Sequence, residues 1–232
     1  MIENVTIFKD EIDAAQNLAK ILPAEHLKEL NTLIICSSID SVLLVDEVAK
    51  MIELDYELLF TQPIHAPNNP KCNIAIVSEN EEIIVNDELV KAFDISYDFV
   101  YSQAKRQYEE TILKKIYKFR NGDLLSNLQG RNILIIDEGT QTGMTAMICI
   151  KTLIKAGAKT ISYATPIIAM DVAMHLSDLT DDIYAVDRIS HFIDVNSYYD
   201  NKMALGDDEI IAILKNSQRY KKLQKGDNTD AI

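Results

Sequence analysis

Two hydrophobic patterns alternate along this chain, and together they predict most of its secondary structure. Short, uninterrupted apolar runs are typical of buried β-strands, whereas apolar residues that recur every three or four positions are typical of amphipathic helices. The apolar runs predict strands at residues 32–36, 56–60, 73–77, 82–86, 132–136, 160–168 and 182–186. The helical pattern predicts helices at residues 8–22, 40–53, 87–93, 96–119, 143–156, 171–176 and 207–216.

The order of these elements predicts the fold class. Continuous apolar strands that alternate with helices are typical of an α/β protein, in which a parallel twisted sheet carries helices on both faces. Segments 73–77 and 82–86 differ, because their short connection predicts a hairpin or two edge strands. Asp207 is a candidate N-terminal cap and Gly157 a candidate C-terminal stop. Because ligands bind at the carboxyl ends of parallel strands, the residues after strand 132–136 are the first candidates for a site.

Composition limits the size and the partners of this fold. The chain has 232 residues, is 47% hydrophobic and has no linker-like stretch, which predicts one domain over residues 1–232 with a flexible tail at 221–232. A net charge of −13, spread along the chain, disfavours binding to nucleic acid or to anionic membrane. The three cysteines form no CxxC pair, and no apolar run is long enough to span a membrane, so a cytoplasmic location is expected.

The segment ILIIDEGTQTGMTA, residues 133–146, carries the clearest chemistry in the chain. It places two acids and a loop of small and hydroxylated residues between a strand and a helix. A helix N-terminus offers unpaired backbone N–H groups and the positive end of the helix dipole, which suit a phosphate. The glycines permit a tight turn and the threonines add hydroxyl donors. The loop differs from the P-loop of nucleotide triphosphatases, because Met144 stands where that motif has its lysine.

Asp137 and Glu138, which precede the loop, indicate a second chemical group on the same ligand. A carboxylate beside a bound phosphate is repelled unless it binds another part of that ligand. Sugar hydroxyls are suitable, since carboxylates accept hydrogen bonds from ribose in other nucleotide sites. The acid pair followed by a phosphate loop therefore indicates a ribose 5-phosphate group.

This segment resembles the signature with which type I phosphoribosyltransferases bind phosphoribosyl pyrophosphate (PRPP). A weaker resemblance, to a poorly characterised bacterial branch of predicted phosphoribosyltransferases, extends over nearly the whole chain through residues 8–22, 65–77 and 181–214. The resemblance implies a type I phosphoribosyltransferase-like sheet with a small hood, which we expect the terminal segments to form. Dimers are common in that family, so the resemblance also allows a homodimer.

The resemblance further implies a reaction and roles for particular residues. Such an enzyme transfers phosphoribosyl from PRPP to a nitrogenous base or similar small acceptor and releases pyrophosphate. Asp137 and Glu138 would be the catalytic residues that hold the ribose hydroxyls. Mg²⁺ would be the cofactor, carried mainly by substrate oxygens rather than by protein ligands. The 5-phosphate would bind to Gly139, Thr140, Gln141, Thr142, Gly143, Met144 and Thr145.

The chain departs from the family pattern where pyrophosphate is expected to bind. Residues 36–41, CSSIDS, contain neither the glycine nor the arginine that family members usually have there. Ser37 and Ser38 are the candidate donors to pyrophosphate, but serines and an aspartate are equally typical of a helix N-terminal cap. Basic residues are also missing after the second strand, where Thr61 and Gln62 stand instead.

Two further segments have candidate roles near the substrates. Lys105 and Arg106 lie on the long polar helix, in the part of the chain where type I enzymes often close basic residues over the diphosphate. The alternative is a solvated helix face of paired charges. Phe192 and Tyr198 follow the last strand, where the family closes over the acceptor, and they either stack on a flat base or pack locally.

Three functions remain open at this stage. The first is PRPP- and Mg²⁺-dependent phosphoribosyl transfer. The second is a non-catalytic PRPP- or nucleotide-binding regulatory protein on the same fold, which the altered pyrophosphate loop favours. The third is an unrelated α/β enzyme such as a kinase or a dehydrogenase, but the chain lacks the P-loop lysine and the GxGxxG motif that these would use.

Overall fold

A computed structural model describes residues 6–221 of the chain. The strands, in chain order, are β1 Leu33–Cys36, β2 Tyr56–Leu58, β3 Thr61–Ala66, β4 Asn69–Ser78, β5 Ile83–Val85, β6 Asn132–Ile136, β7 Thr160–Ala169 and β8 Asp182–Ile189. The helices are α1 Glu11–Ile21, α2 Ala24–Glu29, α3 Val42–Ile52, α4 Asp87–Ala92, α5 Tyr97–Gln107, α6 Leu113–Arg120, α7 Met144–Lys155, α8 Met170–Ser177 and α9 Asp207–Asn216.

The main sheet has the strand order β2-β1-β6-β7-β8, and its neighbouring strands are all parallel. Along β1, Ile34 and Cys36 pack into one core with α1 and α3, whereas Leu33 and Ile35 pack into a second core with α7. Alternate residues of a strand point to opposite faces, so an uninterrupted apolar run supplies both cores at once. The predicted α/β fold, a parallel sheet with helices on both faces, is confirmed.

A smaller antiparallel sheet has the order β3-β4-β5. It confirms the hairpin predicted for 73–77 and 82–86, although β4 begins earlier, at Asn69. Strand β3 was not predicted, because its sequence TQPIHA contains a proline and buries only Ile64 and Ala66. A proline is tolerated on an edge strand, and β3 becomes a strand because β4 offers it a partner.

The long polar helix is one continuous helical segment, in which a π-helical turn at Tyr108–Ile112 joins α5 to α6. Its buried side chains include Val100 and Ala104 before the π turn and Ile112 and Ile116 at and after it, each pair four residues apart. An α-helix turns once in 3.6 residues, so a four-residue repeat drifts around the helix. The wider π turn corrects that drift and keeps the apolar stripe on one face.

The first described residues pair with the segment that follows β8. The N–H of Phe8 donates to the carbonyl of Tyr198 (2.9 Å), and the N–H of Asp200 donates to the carbonyl of Phe8 (2.8 Å). The single-domain organisation and the hood from terminal segments stay predictions. In the predicted tail at 221–232, Lys221 donates its N–H to the carbonyl of Tyr56 (2.9 Å), and residues 222–232 lie outside the described residues.

The helix ends follow local hydrogen bonding. The N-terminal cap of α9 is Gly206, and the prediction of Asp207 is wrong, because Asp207 is already the first helical residue. Glu209 Oε2 instead accepts the backbone N–H of Gly206 (2.7 Å). Gly157 follows the C-terminus of α7 with a left-handed φ of +77°, as the sequence predicted. Within residues 6–221, no helix is long and apolar enough to cross a membrane.

Candidate functional site

The candidate site lies at the carboxyl end of β6, where residues 137–143 lead into α7. Backbone hydrogen bonds tie this connection to the neighbouring strand β7. The N–H of Thr140 donates to the carbonyl of Ile167 (3.0 Å), and the N–H of Ala169 donates to the carbonyl of Thr140 (2.9 Å). The loop is therefore anchored in its middle, while its second half is free to face the space above the sheet.

Asp137 is buried, and both of its carboxylate oxygens have hydrogen-bond donors. Oδ1 accepts from the Ser41 hydroxyl (3.2 Å) and from the backbone N–H of Glu138 (2.8 Å), and Oδ2 accepts from the Tyr163 hydroxyl (3.3 Å). Burial raises the pKa of Asp137, and these donors oppose that rise. The carboxylate is thus held in one orientation by the loop after β1, by its own backbone and by β7.

Glu138 is joined to the segment that follows β8. Lys202 Nζ lies 2.7 Å from Glu138 Oε1, and the Tyr199 hydroxyl donates to the carbonyl of Glu138 (2.7 Å). Oε2 of Glu138 is buried and has no hydrogen-bond partner among the described residues. Burial raises the pKa of Glu138 to about 7, while the charge of Lys202 opposes the rise. The raised pKa of Glu138 thus lies near neutral pH, and one of its carboxylate oxygens is left without a donor.

The two glycines of the loop stand where a side chain does not fit. A Cβ at Gly139 would lie 2.9 Å from Val195 Cγ1 and 3.0 Å from Ile167 Cγ1. Gly143 has a left-handed φ of +72°, and a Cβ there would lie 2.8 Å from Val172 Cγ1. The close packing of these neighbours accounts for both glycines, and backbone conformation is a second reason at Gly143.

The polar side chains of the loop point in different directions. Thr140 lines the larger of the cavities described below, but its buried hydroxyl shares a short hydrogen bond with the Tyr163 hydroxyl and so supports the loop from below. The Gln141 side chain donates to the carbonyl of Ile193 (2.8 Å). Thr142 is exposed and Thr145 half-buried, and neither hydroxyl has a hydrogen-bond partner in residues 6–221. Of the three threonines, Thr142 and Thr145 are therefore the ones with free hydroxyls.

Two of the cavities beside this loop share its second half. The larger, of about 770 Å³, is lined by Asp137, by the loop and by residues of β4, β5 and α4. The smaller, of about 370 Å³, lies between the loop after β1, the start of β3 and α6. The residues that line both cavities are Asn73, Thr142, Met144 and Thr145.

The loop after β1 is built around Asp137. Ser37 is fully buried, and its hydroxyl donates to the carbonyl of Ile136 (3.2 Å), so it does not face either cavity. Ser38 lines the smaller cavity and shares a hydrogen bond with Ser41 (2.9 Å). Ser41 is the N-cap residue of α3, but its side chain makes no capping bond and instead donates to Asp137. The two predicted pyrophosphate donors therefore differ: Ser38 borders a cavity, whereas Ser37 is bonded to the end of β6.

The basic residues proposed for the closing segment lie on the solvated face of the long helix. Lys105 pairs with Glu109 (4.0 Å) and Arg106 pairs with Glu110 (2.9 Å), one helical turn further along. Neither lines the two cavities. The lysine that does reach the smaller cavity is Lys115, which the sequence analysis did not identify.

The aromatic candidates for an acceptor site differ in their exposure. Phe192 is half-buried and borders an open cavity of about 930 Å³ that also includes Gln141, Thr142 and His191. Tyr198 is buried, stacks at a tilt on Phe192 with 5.0 Å between ring centroids, and accepts the N–H of Ile193 on its hydroxyl. Phe192 can therefore meet a ligand, whereas Tyr198 supports Phe192 from behind.

Four residues that contact the acid pair or its cavity were missed by sequence reasoning in those roles: Ser41, Tyr163, Lys115 and Lys202. Ser41 lies just before α3, Tyr163 on β7, Lys115 on α6 and Lys202 after β8. None of them is adjacent in sequence to residues 137–145. Tyr163 has the hydrophobic pattern of an ordinary strand residue, so no local signal marks its contact with Asp137. With 23 lysines and arginines in the chain, no sequence signal singles out Lys115 or Lys202 either.

Comparisons with known proteins agree with the resemblance seen in the sequence. Two curated proteins of Mycobacterium tuberculosis, from strains CDC 1551 and H37Rv, bear the name "Putative phosphoribosyl transferase". Each is 24% identical over 213 residues, which are 92% of this chain and 47% of the relative. This chain thus spans about half the length of the curated relatives it matches. No protein-family profile matches the chain.

Solved structures bear on the fold. TT1426 from Thermus thermophilus is similar with a TM-score of 0.70 and 19% identity, over 91% of this chain and 99% of that chain. The hypoxanthine-guanine phosphoribosyltransferase of L. donovani is less similar, with a TM-score of 0.47 and 11% identity over 82% of this chain and 84% of that chain. The likeness in fold therefore rests on TT1426, while the curated relatives confirm the resemblance in sequence to phosphoribosyltransferases.

Proposed function

We propose that this protein binds PRPP at the end of β6 and transfers its phosphoribosyl group to a nitrogen atom of a small acceptor. The bond between ribose C1 and the diphosphate oxygen breaks, and a bond between C1 and the acceptor nitrogen forms. The electron pair of the broken bond leaves with pyrophosphate, and the proton displaced from the nitrogen passes to solvent. The transition state carries positive charge on the sugar, as in glycoside cleavage.

The observation that carries this proposal is the geometry of one connecting segment. Asp137 and Glu138 are buried at its start, and α7 begins at its end with no acidic residue in its first turn. Backbone N–H groups at the start of α7 and the free hydroxyls of Thr142 and Thr145 suit a 5-phosphate. A ligand that satisfies both ends of the segment must carry a diol and a phosphate close together, which describes a ribose 5-phosphate.

The two acids would have different tasks. Asp137 is already oriented by three donors, so it would offer a carboxylate in a fixed orientation beneath the sugar. Glu138 keeps Oε2 without a partner, and a ribose hydroxyl would supply the missing donor. Both charges would stabilise the positive charge that develops on the sugar in the transition state. No protein nucleophile is needed, and positioning of the two substrates accounts for the catalysis.

Magnesium fits this site as a companion of the substrate. The described residues contain no group of three or more Asp, Glu, His or Cys side chains arranged to hold a metal ion. Asp137 has donors on both oxygens, and Glu138 already has a lysine on Oε1, so neither is arranged as a protein cage for a cation. Bound Mg²⁺ would reduce the charge of the diphosphate and make it a better leaving group.

The acceptor would approach from the side of the segment after β8. The open cavity at Phe192 adjoins Gln141 and Thr142 of the phosphate loop. A half-buried phenylalanine beside the phosphate loop offers a face for a flat nitrogenous base. We therefore propose Phe192 as an acceptor contact, with Tyr198 holding the Phe192 ring in place.

Calorimetric titration with Mg²⁺ and PRPP tests the donor site. We expect saturable binding by the wild type and a loss of about tenfold or more in affinity for Asp137→Asn and for Glu138→Gln, since each removes a buried charge that faces the sugar. Asp208→Asn removes an exposed acid from α9 and serves as the matched control. The proposal fails if the wild type binds no PRPP.

Turnover separates an enzyme from a binding protein. Release of pyrophosphate from PRPP is measured across a panel of purine and pyrimidine bases and small amines, with and without Mg²⁺. Base-dependent release supports the transferase. PRPP binding without release for any acceptor would instead indicate the non-catalytic binding protein on the same fold.

A further inference from the structure

The donor in the proposed function carries negative charge at both ends. The loop before α7 suits the 5-phosphate. The loop after β1, residues 36–41, is where the diphosphate is expected, but it contains no basic side chain. A diphosphate needs donors of opposite charge as well as backbone N–H groups. The smaller cavity borders the same threonines, Thr142 and Thr145, and also reaches Ser38 on the loop after β1. It is therefore the space in which the second anionic group of the donor would lie.

Lys115 is the only cationic side chain among the described residues that line this cavity. It is half-buried, and its ammonium donates to Gln62 Oε1 (2.9 Å). No carboxylate of residues 6–221 lies within 4.0 Å of it. An ammonium has three donors, so two remain free after the bond to Gln62. Burial lowers the pKa of Lys115, which means that its charge is incompletely solvated where it stands.

Apart from the exposed Lys114, the other cations on the long helix have carboxylate partners. Arg106 pairs with Glu110, Lys118 with Asp207, and buried Arg120 with Glu79. Lys115 differs from them because it points toward a cavity whose other polar lining is Ser38, Asp40, Asn73 and threonine. The carboxylates of Asp40 and Asp207 act on the charge of Lys115 from a distance, but neither forms an ion pair with it within 4.0 Å, so its ammonium is left to bind an anionic ligand.

The helix that carries Lys115 is anchored on both sides of this residue. Ile112 and Ile116 are buried within one turn of it. Beyond them, Arg120 reaches Glu79 and the carbonyl of Leu58 (3.4 Å), at the end of β2 and of β4. The stem of Lys115 therefore leaves a rigid element, and its ammonium is placed beside Gln62 before any ligand arrives. Preorganised charge of this kind loses little entropy on binding.

We propose that Lys115 binds the diphosphate of the donor and supplies the positive charge that the loop after β1 lacks. This inference rests on the proposed function and assigns a specific task to the long helix. Lys115 and the Ser38 hydroxyl would both donate hydrogen bonds to diphosphate oxygens. Asp40, which also lines the cavity, repels a bare diphosphate, so the magnesium complex is the form that we expect to bind.

The test uses inorganic pyrophosphate with Mg²⁺ as the probe, titrated calorimetrically, and ribose 5-phosphate as the probe for the other half of the site. We expect Lys115→Met to weaken pyrophosphate and PRPP by tenfold to about a hundredfold and to leave ribose 5-phosphate within about twofold. Lys115→Arg should keep most of the pyrophosphate affinity, because it keeps a charged donor. Lys114→Met removes the same charge from an exposed neighbour on the same helix and should have no effect.

The outcomes separate the inference from the proposed function. Unchanged pyrophosphate binding by Lys115→Met, or an equal loss in Lys114→Met, overturns the role of Lys115. If Lys115→Met does not fold, judged by its thermal unfolding, the Lys115→Gln variant takes its place because its amide can still bond to Gln62. Lys115-dependent pyrophosphate binding in a wild type that does not bind PRPP would support the cation site and reject PRPP as its ligand.

Discussion

Lys202 Nζ lies 2.7 Å from Glu138 Oε1, so a residue of the segment after β8 forms an ion pair with an acid at the end of β6. Burial raises the pKa of Glu138 to about 7, and Lys202 is the cation that opposes this rise. The carboxylate form of Glu138 is therefore populated as pH rises through about 7. If that form accepts a ribose hydroxyl, the ion pair controls the pH at which the donor site works.

We accordingly predict that PRPP affinity in the wild type rises between about pH 6 and pH 8. Lys202→Met removes the opposing cation, so the pKa of Glu138 should rise further and the midpoint of the profile should move above that of the wild type. Lys202→Arg should keep the midpoint close to that of the wild type. Calorimetric affinities across the pH range measure both midpoints, and a profile that Lys202→Met leaves in place contradicts the prediction.

Tyr163 is predicted to position Asp137 rather than to touch the substrate. Its hydroxyl bonds both to Asp137 Oδ2 and to the Thr140 hydroxyl, below the phosphate loop. Tyr163→Phe should lower PRPP affinity by about tenfold, because a buried carboxylate loses a donor. Tyr184→Phe removes a hydroxyl from the neighbouring strand β8 and is the control. Equal affinities for the two variants would show that Asp137 does not depend on this bond.

Gly139 is predicted to tolerate no side chain. Its φ lies outside the left-handed region, so the effect of Gly139→Ala is steric and arises from contact with Val195 and Ile167. We expect a loss of about 1–3 kcal/mol in the free energy of unfolding, together with weaker PRPP binding. Gly206→Ala, whose Cβ would stand 3.6 Å from Glu209 Oε2, meets no such clash and should cost less than about 1 kcal/mol, which reflects only the poorer N-terminal cap of α9. Chemical denaturation of both variants measures the difference.

The buried pair of Arg120 and Glu79 is predicted to carry much of the anchoring of the long helix. Arg120→Met leaves Glu79 buried without its cation and should cost about 3–5 kcal/mol. Lys118→Met breaks an exposed pair on the same helix and should cost less than about 1 kcal/mol. Chemical denaturation of the two variants compares these costs.

The loss at Arg120 should also depend on pH. Burial raises the pKa of Glu79 even in the wild type, and loss of the arginine raises it further. A carboxyl group whose pKa is raised by folding contributes stability at low pH that is lost as pH rises through the folded pKa. The destabilisation of Arg120→Met should therefore be smaller at acidic pH. A cost that stays the same from about pH 4 to about pH 8 would contradict this assignment.

Much of the fold followed from patterns within single segments. The run at 132–136 is uninterrupted because both faces of β6 are covered, and the same reasoning located β1 and β7. The hydrophobic pattern did not predict elements that depend on contacts with other parts of the chain. Strand β3 contains a proline and becomes a strand through β4, and the π turn at Tyr108–Ile112 corrects a drift that no propensity marks.

The sequence by itself determined where the acids and the phosphate loop lie, because strand, acid pair, glycines and helix start are adjacent along the chain. Only the tertiary structure decided what surrounds them. Ser41 and Asp137 are 96 residues apart, Lys202 and Glu138 are 64 apart, and Lys115 and Gln62 are 53 apart. Periodicity reports which side of an element is buried, but which side chains meet depends on how the elements pack. The orientation of Asp137, the charge of Glu138 and the cation of the smaller cavity are consequences of that packing.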